Sequence, residues 1–211
     1  MSKRLAGDAL FLFQLGFALA FGIGQFAQLL SSSQGVSVSW FGAWQIFLLL
    51  NLWLAVNAHK ALPSRLSRQV LVIYVSLSLM VASNLGVMFV RGTGVWTELD
   101  TLSAAIAVAG VIATLLVGRF DLSNPLVKGW LAVFFKAMPQ VILAWSIWRY
   151  GGEGISWIAV IAGHVMILTR LGQLVFSVRE AGWDKNRIGL LISEGSNELS
   201  WMLATAVWLV R

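Results

Sequence analysis

The sequence contains no cysteine, which excludes disulfides, thiolate metal sites and cysteine nucleophiles. Charge is nearly as scarce. Only 11% of the 211 residues are Asp, Glu, Lys or Arg, against about 25% in soluble domains. Histidine is limited to His59 and His164, too few to suggest a haem or zinc site built on imidazoles. There is no HExxH, no Asp-rich metal motif and no Ser/His pair at a recognisable spacing. An enzyme is therefore not expected, and neither a cofactor nor a metal is implied. No loop is long enough for a soluble domain, and low-complexity sequence is confined to the Ser31-Ser32-Ser33 turn.

What fills the chain instead is apolar: 58% hydrophobic residues and a mean hydropathy of +0.81. The lipid bilayer is the partner this composition demands. In a bilayer only helices or closed barrels satisfy the backbone. The runs are long and lack period-two alternation, so an all-α integral membrane protein is expected. Seven spans are predicted, at residues 8–30, 37–58, 66–90, 99–118, 125–148, 155–176 and 187–210. The first is too long for a signal-peptide core and carries Gln14, Gln25 and Gln28, so it reads as a membrane helix.

The net charge of +6 does not point to nucleic acid, because basic residues in such a protein sit in loops and set orientation. On the N-terminal side fall Lys3, Arg4, Lys60, Arg65, Arg68, Arg119, Lys128, Arg179, Lys185 and Arg187. The opposite side has only Arg91, Arg149 and Arg211. A cytoplasmic N-terminus and an outside C-terminus follow. Trp40, Trp96, Trp148, Trp157 and Trp208 read as an outer aromatic belt, with Trp130 and Trp183 on the inner side.

An internal repeat is visible. Gly24-Gln25 echoes Pro139-Gln140, and Gly35-Val36-Ser37 echoes Gly154-Ile155-Ser156. Ala82-Ser83-Asn84 echoes Gly195-Ser196-Asn197. Two parallel three-helix bundles, residues 1–92 and 123–211, are expected, joined by a linker helix in 93–122. Small residues in that linker (Ala104, Ala105, Ala107, Ala109, Gly110, Ala113) suit close packing.

On Pro139-Gln140, Gly154-Ile155-Ser156, the three-one-three layout and the Asn84/Asn197 pair, the chain resembles the PQ-loop superfamily and its SWEET-like seven-helix sugar transporters. The resemblance covers nearly the whole chain and rests on a short motif, half kept in the first repeat, where Gly24 replaces proline. It implies two bundles around a central path for sugars, amino acids or other small organic solutes, with Asn84 and Asn197 lining it and Pro139 as a hinge. Some relatives act as receptors. The inferred N-terminal orientation is opposite to that of eukaryotic members, and a prokaryotic plasma (inner) membrane is expected.

Ionisable groups inside a bilayer are candidate functional groups. Here they are Lys136, Arg170, Glu194 and Glu198. Counting depth at ~1.5 Å per residue matches Arg170 with Glu194 and Lys136 with Glu198, so two salt bridges are expected. These groups either brace the second bundle or handle substrate and ions. Lys136, Arg170 and Gln140 join Asn84 and Asn197 as candidate substrate ligands. Glu198, with Glu194 as a second candidate, is the carboxylate for proton coupling. The asparagines are equally suited to interhelical hydrogen bonds. Asn51 falls where the repeat places Arg170. Trp53, Trp145 and Trp201 are candidates for ring stacking or for core. His164 is expected to be a hydrogen-bonded core residue. Pro139 should bend its helix near Phe135, as a gate or as a static kink. The expected function is transport of a small polar solute by alternating access, with or without proton coupling. The alternative is a receptor or assembly subunit on the same scaffold. A homo-oligomer is compatible with the sequence but not required.

Overall fold

A computed structural model describes the backbone from residue 3 onward and side chains from Gly7 onward. The Lys3 and Arg4 side chains, used above for orientation, lie outside the described set. Among the described residues the chain forms seven helices and no strand: α1 Lys3–Ser31, α2 Val38–Ala61, α3 Arg65–Val90, α4 Glu98–Val117, α5 Pro125–Tyr150, α6 Trp157–Ala181 and α7 Lys185–Leu209. Six of them are long and apolar enough to cross a membrane. The exception is α7, which is long enough but carries Arg187, Glu194 and Glu198 along its length. The outward faces are apolar, as an integral membrane protein requires. Ile23, Ile46, Leu79, Ile112, Leu168 and Leu199 are all exposed away from the helix ends.

Helix boundaries follow from local chemistry. Ser37, Ser64, Thr97, Asn124, Ser156 and Asp184 each cap a helix start with a side-chain oxygen, satisfying amide groups that lack an intrahelical acceptor. Pro125 occupies the first turn of α5, where its missing N–H costs nothing. Arg91, at the end of α3, donates to the carbonyls of Leu29 and Leu30 at the end of α1, a favourable place for a cation. In the turn before α5, Ser123 donates through its hydroxyl and its amide to Asp121 and holds that carboxyl below the usual carboxylate range.

The interior of α5 is irregular where proline predicts it. Residues Val133–Ala137 are π-helical, and the Met138 amide bonds to the Val133 carbonyl. Pro139 has no amide to give Phe135, and its ring crowds the carbonyl four residues back. The helix widens one turn before the ring, and Lys136 sits in that widened turn.

Helix α3 packs against both α1 and α2, and α7 packs against both α5 and α6. The two groups meet through α1 on α6 and through α2 on α5. Helix α4 touches α2 and α5 with one face only. There Ser103, Ala107 and Gly110 are buried, while Ala105, Ala109 and Ala113 are exposed. A Cβ at Gly110 would run into the Phe134 ring of α5. The Trp belt needs one correction. Trp96, Trp148 and Trp157 are exposed, but Trp40 is 2% exposed and lies in the core.

Candidate functional site

A cavity of about 430 Å³ lies between the two helix groups. Its mouth is polar, with Gln14, Lys128, Gln173 and Asn186 at the end where α5 and α7 begin. Its middle is charged, and its far end is aromatic. Seven-residue and four-residue spacings decide which side chains face it. On α7, Ser193, Glu194, Asn197 and Trp201 share one face. On α5, Lys136 and Gln140 are one turn apart and do the same.

The charged middle differs from the pairing that depth alone suggests. Lys136 Nζ and Arg170 Nη1 both reach Glu194 Oε1, each at 3.3 Å. Glu194 is 4% exposed, and its other oxygen, Oε2, is buried without a partner. Lys136 also stands 5.3 Å from the centre of the Phe47 ring, a cation–π contact. Lys136 does not pair with Glu198. That carboxylate instead takes a 2.7 Å contact with His164 Nδ1, and His164 Nε2 contacts Thr205 Oγ1 at 3.0 Å. Depth along a helix is legible from sequence, but azimuth is not. Four residues turn Glu198 only ~40° from Glu194, enough to aim it at α6 rather than at α5.

The amides divide similarly. Gln140 Nε2 donates to Asn197 Oδ1 at 3.1 Å, and Ser200 Oγ donates to Gln140 Oε1. Both amides line the cavity. Asn84 does not. It is fully buried, and neither end of its carboxamide has a partner. Measured from the starts of α3 (Arg65) and α7 (Lys185), the residue level with Asn197 is Leu77. Asn84 stands about two turns farther along, roughly 10 Å. The sequence echo that matched it to Asn197 joins residues at different depths. Leu77 and Tyr74 supply the α3 wall of the cavity.

Of the candidate stacking residues, Trp201 lines the cavity, whereas Trp53 and Trp145 are 55% and 52% exposed on the outer surface. Asn51 faces the cavity and donates to the Phe47 carbonyl at 2.8 Å. Pro139 is buried beside the site. His164 is half-buried and hydrogen-bonded. Sequence inspection missed the aromatic wall of Phe21, Trp40, Trp44, Phe47 and Tyr74. The signal for it was the repeat itself, since Phe21 precedes Gln25 by the interval at which Lys136 precedes Gln140.

The far end of the cavity is sealed in two layers. The first is aromatic: Trp40 stacks on Trp201 with ring centres 5.7 Å apart, and Phe21 meets Trp44 edge-on at 5.2 Å. The second is a hydrogen-bonded clasp. Gln25 Nε2 donates to the Gly154 carbonyl at 2.7 Å, and its Oε1 accepts from the Ser156 amide at 3.1 Å. Gln28 donates to the Glu153 carbonyl at 2.6 Å, Gln34 to the Tyr150 carbonyl, and the Gly154 amide to the Gln34 carbonyl at 2.9 Å. The two turns touch backbone to backbone. Gly35 has φ +78°, and a Cβ on it would collide with the Gly151 carbonyl. Gly24, where the repeat motif has proline, lies so close to α6 that a Cβ would come within 2.8 Å of Ile158. A pyrrolidine ring has no room there.

No group of three His, Asp or Glu side chains among the described residues is arranged to hold a metal ion. Compared with known protein families, characterised proteins and solved structures, the chain matches none.

Proposed function

We propose that the chain is a membrane transporter of a small polar solute, a sugar or a small organic acid or amino acid, working by alternating access. In this reading all seven helices cross the membrane. The groups α1–α3 and α5–α7 are two parallel three-helix units of the SWEET-like, PQ-loop kind, and α4 is the linker between them. The observation that carries the reading is the cavity between the two groups, polar at one end and sealed at the other. A solute-sized chamber with one mouth and a separable seal is what one half of an alternating-access cycle needs.

The seal favours this over a static scaffold. Outside its aromatic layer it is built from hydrogen bonds between glutamine side chains of α1 and backbone atoms of the turn between α5 and α6. Such bonds contribute about 1 kcal/mol each, so rocking the two groups apart is not prohibitive. With basic loops at the mouth end, the positive-inside rule puts the mouth in the cytoplasm and the chain in a prokaryotic plasma (inner) membrane. Proton coupling falls to the His164–Glu198 pair, because Glu194 is committed to two cations.

The test is solute uptake into proteoliposomes. The chain has no native cysteine, so Gln28→Cys with Glu153→Cys gives a single engineered bridge across the seal. Uptake that stops on oxidation and returns on reduction supports alternating access. Uptake unaffected by a formed bridge, or a broad solute panel that never enters, overturns it.

A further inference from the structure

The cavity has an imbalance of charge that identifies what it takes. Among the described residues, four side chains of formal charge line it: Lys128 at the mouth, and Lys136, Arg170 and Glu194 inside. The two inner cations converge on one oxygen of one carboxylate. Counted as formal charges, one negative group thus faces two positive ones in a place largely removed from water. Lys136 and Glu194 have side chains only 8% and 5% exposed. A buried charge without its counter-charge is unfavourable, and Arg170, with 31% of its side chain open, is the group left able to meet a second anion. Phe47 stands beside Lys136, Tyr74 lines the same space, and the Trp40–Trp201 stack closes its far end.

Resting on the transport reading above, we propose that the cavity takes a small organic monoanion. Its carboxylate lies at Arg170 and Lys136, and its flat apolar body lies against the aromatic wall. A planar guanidinium is well matched to a carboxylate, and Gln140 and Asn197 stand beside the same space for further polar groups. The charge balance decides against other solutes. A neutral sugar leaves the second cation uncompensated. A zwitterionic amino acid needs an acceptor for its ammonium, yet Glu194 Oε1 is already shared by two cations and Oε2 has no open surface. A phosphate monoester brings about two charges to a place lacking one.

Binding to the purified full-length protein in detergent, read by quenching of its tryptophan fluorescence, tests this directly. The probes are phenylacetate and indole-3-acetate, with 2-phenylethanol, phenylalanine, phenyl phosphate, acetate and glucose as comparisons. The two aromatic carboxylates are expected to bind at least tenfold more tightly than any of the others. Arg170→Gln should weaken them at least tenfold, and Arg170→Lys much less. Lys136→Met is expected to act in the same direction as Arg170→Gln. Should it fail to fold, the Arg170 variants decide, because that side chain is partly open to solvent. Phe47→Ala should erase the preference for phenylacetate over acetate. Equal or tighter binding of the alcohol, sugar, amino acid or phosphate overturns the proposal. So does an Arg170→Gln protein that binds carboxylates unchanged, or a protein that binds none of the probes. The two readings fail separately. Carboxylate binding without uptake removes transport and leaves the ligand. Uptake of a neutral solute without carboxylate binding does the reverse.

Discussion

The helices α1–α3 and α5–α7 place different chemistry at matching positions. Asn51 and Arg170 are equally far from the starts of α2 and α6, and Tyr74 and Glu194 from the starts of α3 and α7. Phe21 and Lys136 hold the same place relative to Gln25 and Gln140. The set Phe21, Asn51, Tyr74 is neutral, the set Lys136, Arg170, Glu194 is ionic, and all six line one cavity. A second set agrees. Gln45 Nε2 donates to Ser78 Oγ at 2.6 Å between α2 and α3, and His164 meets Glu198 at 2.7 Å at the matching places between α6 and α7. The spacing of contacts is kept while the charge is not. One half of the chain provides shape and apolar surface, and the other provides charge.

The largest expected effect comes from removing the shared carboxylate. Glu194→Gln leaves Lys136 and Arg170 facing one another, and breaking a buried pair costs about 3–5 kcal/mol. At ~2–4 °C per kcal/mol for a chain of this size, the unfolding midpoint in detergent should drop by roughly 10 °C. Tyr74→Phe, the matching change in α3, should move it by no more than a few degrees. Equal losses would mean that the two halves are energetically alike.

The two motif glutamines behave differently as well. Gln25 reaches across to the restart of α6 at Gly154 and Ser156, whereas Gln140 bonds to Asn197 and Ser200 within its own helix group. The matching restart at Ser37 is held by α4 instead: Ser37 Oγ and the Ser39 amide donate to Asp100 at 2.7 and 2.8 Å. Gln25→Leu therefore orphans a buried carbonyl and a buried amide, a loss of about 2–3 kcal/mol. It should also expose the sealed end, seen as faster thiol labelling of a reporter at Gln34→Cys. Gln140→Leu should leave that labelling unchanged and reduce ligand binding instead. Faster labelling in both variants would show that the seal is shared.

A smaller effect tests the register of the repeat. His164→Gln with Glu198→Ser rewrites the second interhelical pair as the first. The double variant should be more stable than the sum of its single changes by about 0.5–1 kcal/mol, the coupling expected of contacting residues. Additivity within error would deny that the two pairs are equivalent.

Much of this was legible in the sequence. Of the seven expected spans, six are helices apolar enough to cross a membrane, and the helix restarts after Ser37 and Ser156 and the irregularity before Pro139 follow from the repeated motif and the missing proline amide. The gathering of Lys136, Gln140, Arg170, Glu194 and Asn197 follows from depth and helical spacing. What depth cannot supply is rotation about the helix axis, and that decided the partner of Glu198. The Asn84 match failed for a related reason. A shift of seven residues keeps a side chain on the same helix face, so a motif echo cannot reveal a two-turn error. The seal was illegible because Gln25, Gln28 and Gln34 bond to backbone atoms, which leave no mark on the partner's residue types.

The smallest effect separates the two helix groups by a change of solvent alone. The α1–α3 group has an ion pair of its own, Asp8 with Arg65. It sits at the rim, with side chains 25% and 52% exposed, rather than in the cavity. Exposed pairs contribute about 0.2–1 kcal/mol and weaken with salt. Gln69 also donates to Asp8, at 2.9 Å, so Arg65→Ala leaves the carboxylate one partner and access to water. The unfolding midpoint should fall by no more than ~2 °C, and less in high salt. The same ionic chemistry in Glu194 should remain costly to break at any salt, because neither water nor counter-ions reach its buried oxygen. A salt-dependent loss at Glu194, or a loss at Arg65 as large as that at Glu194, would show that burial is not what separates the two halves.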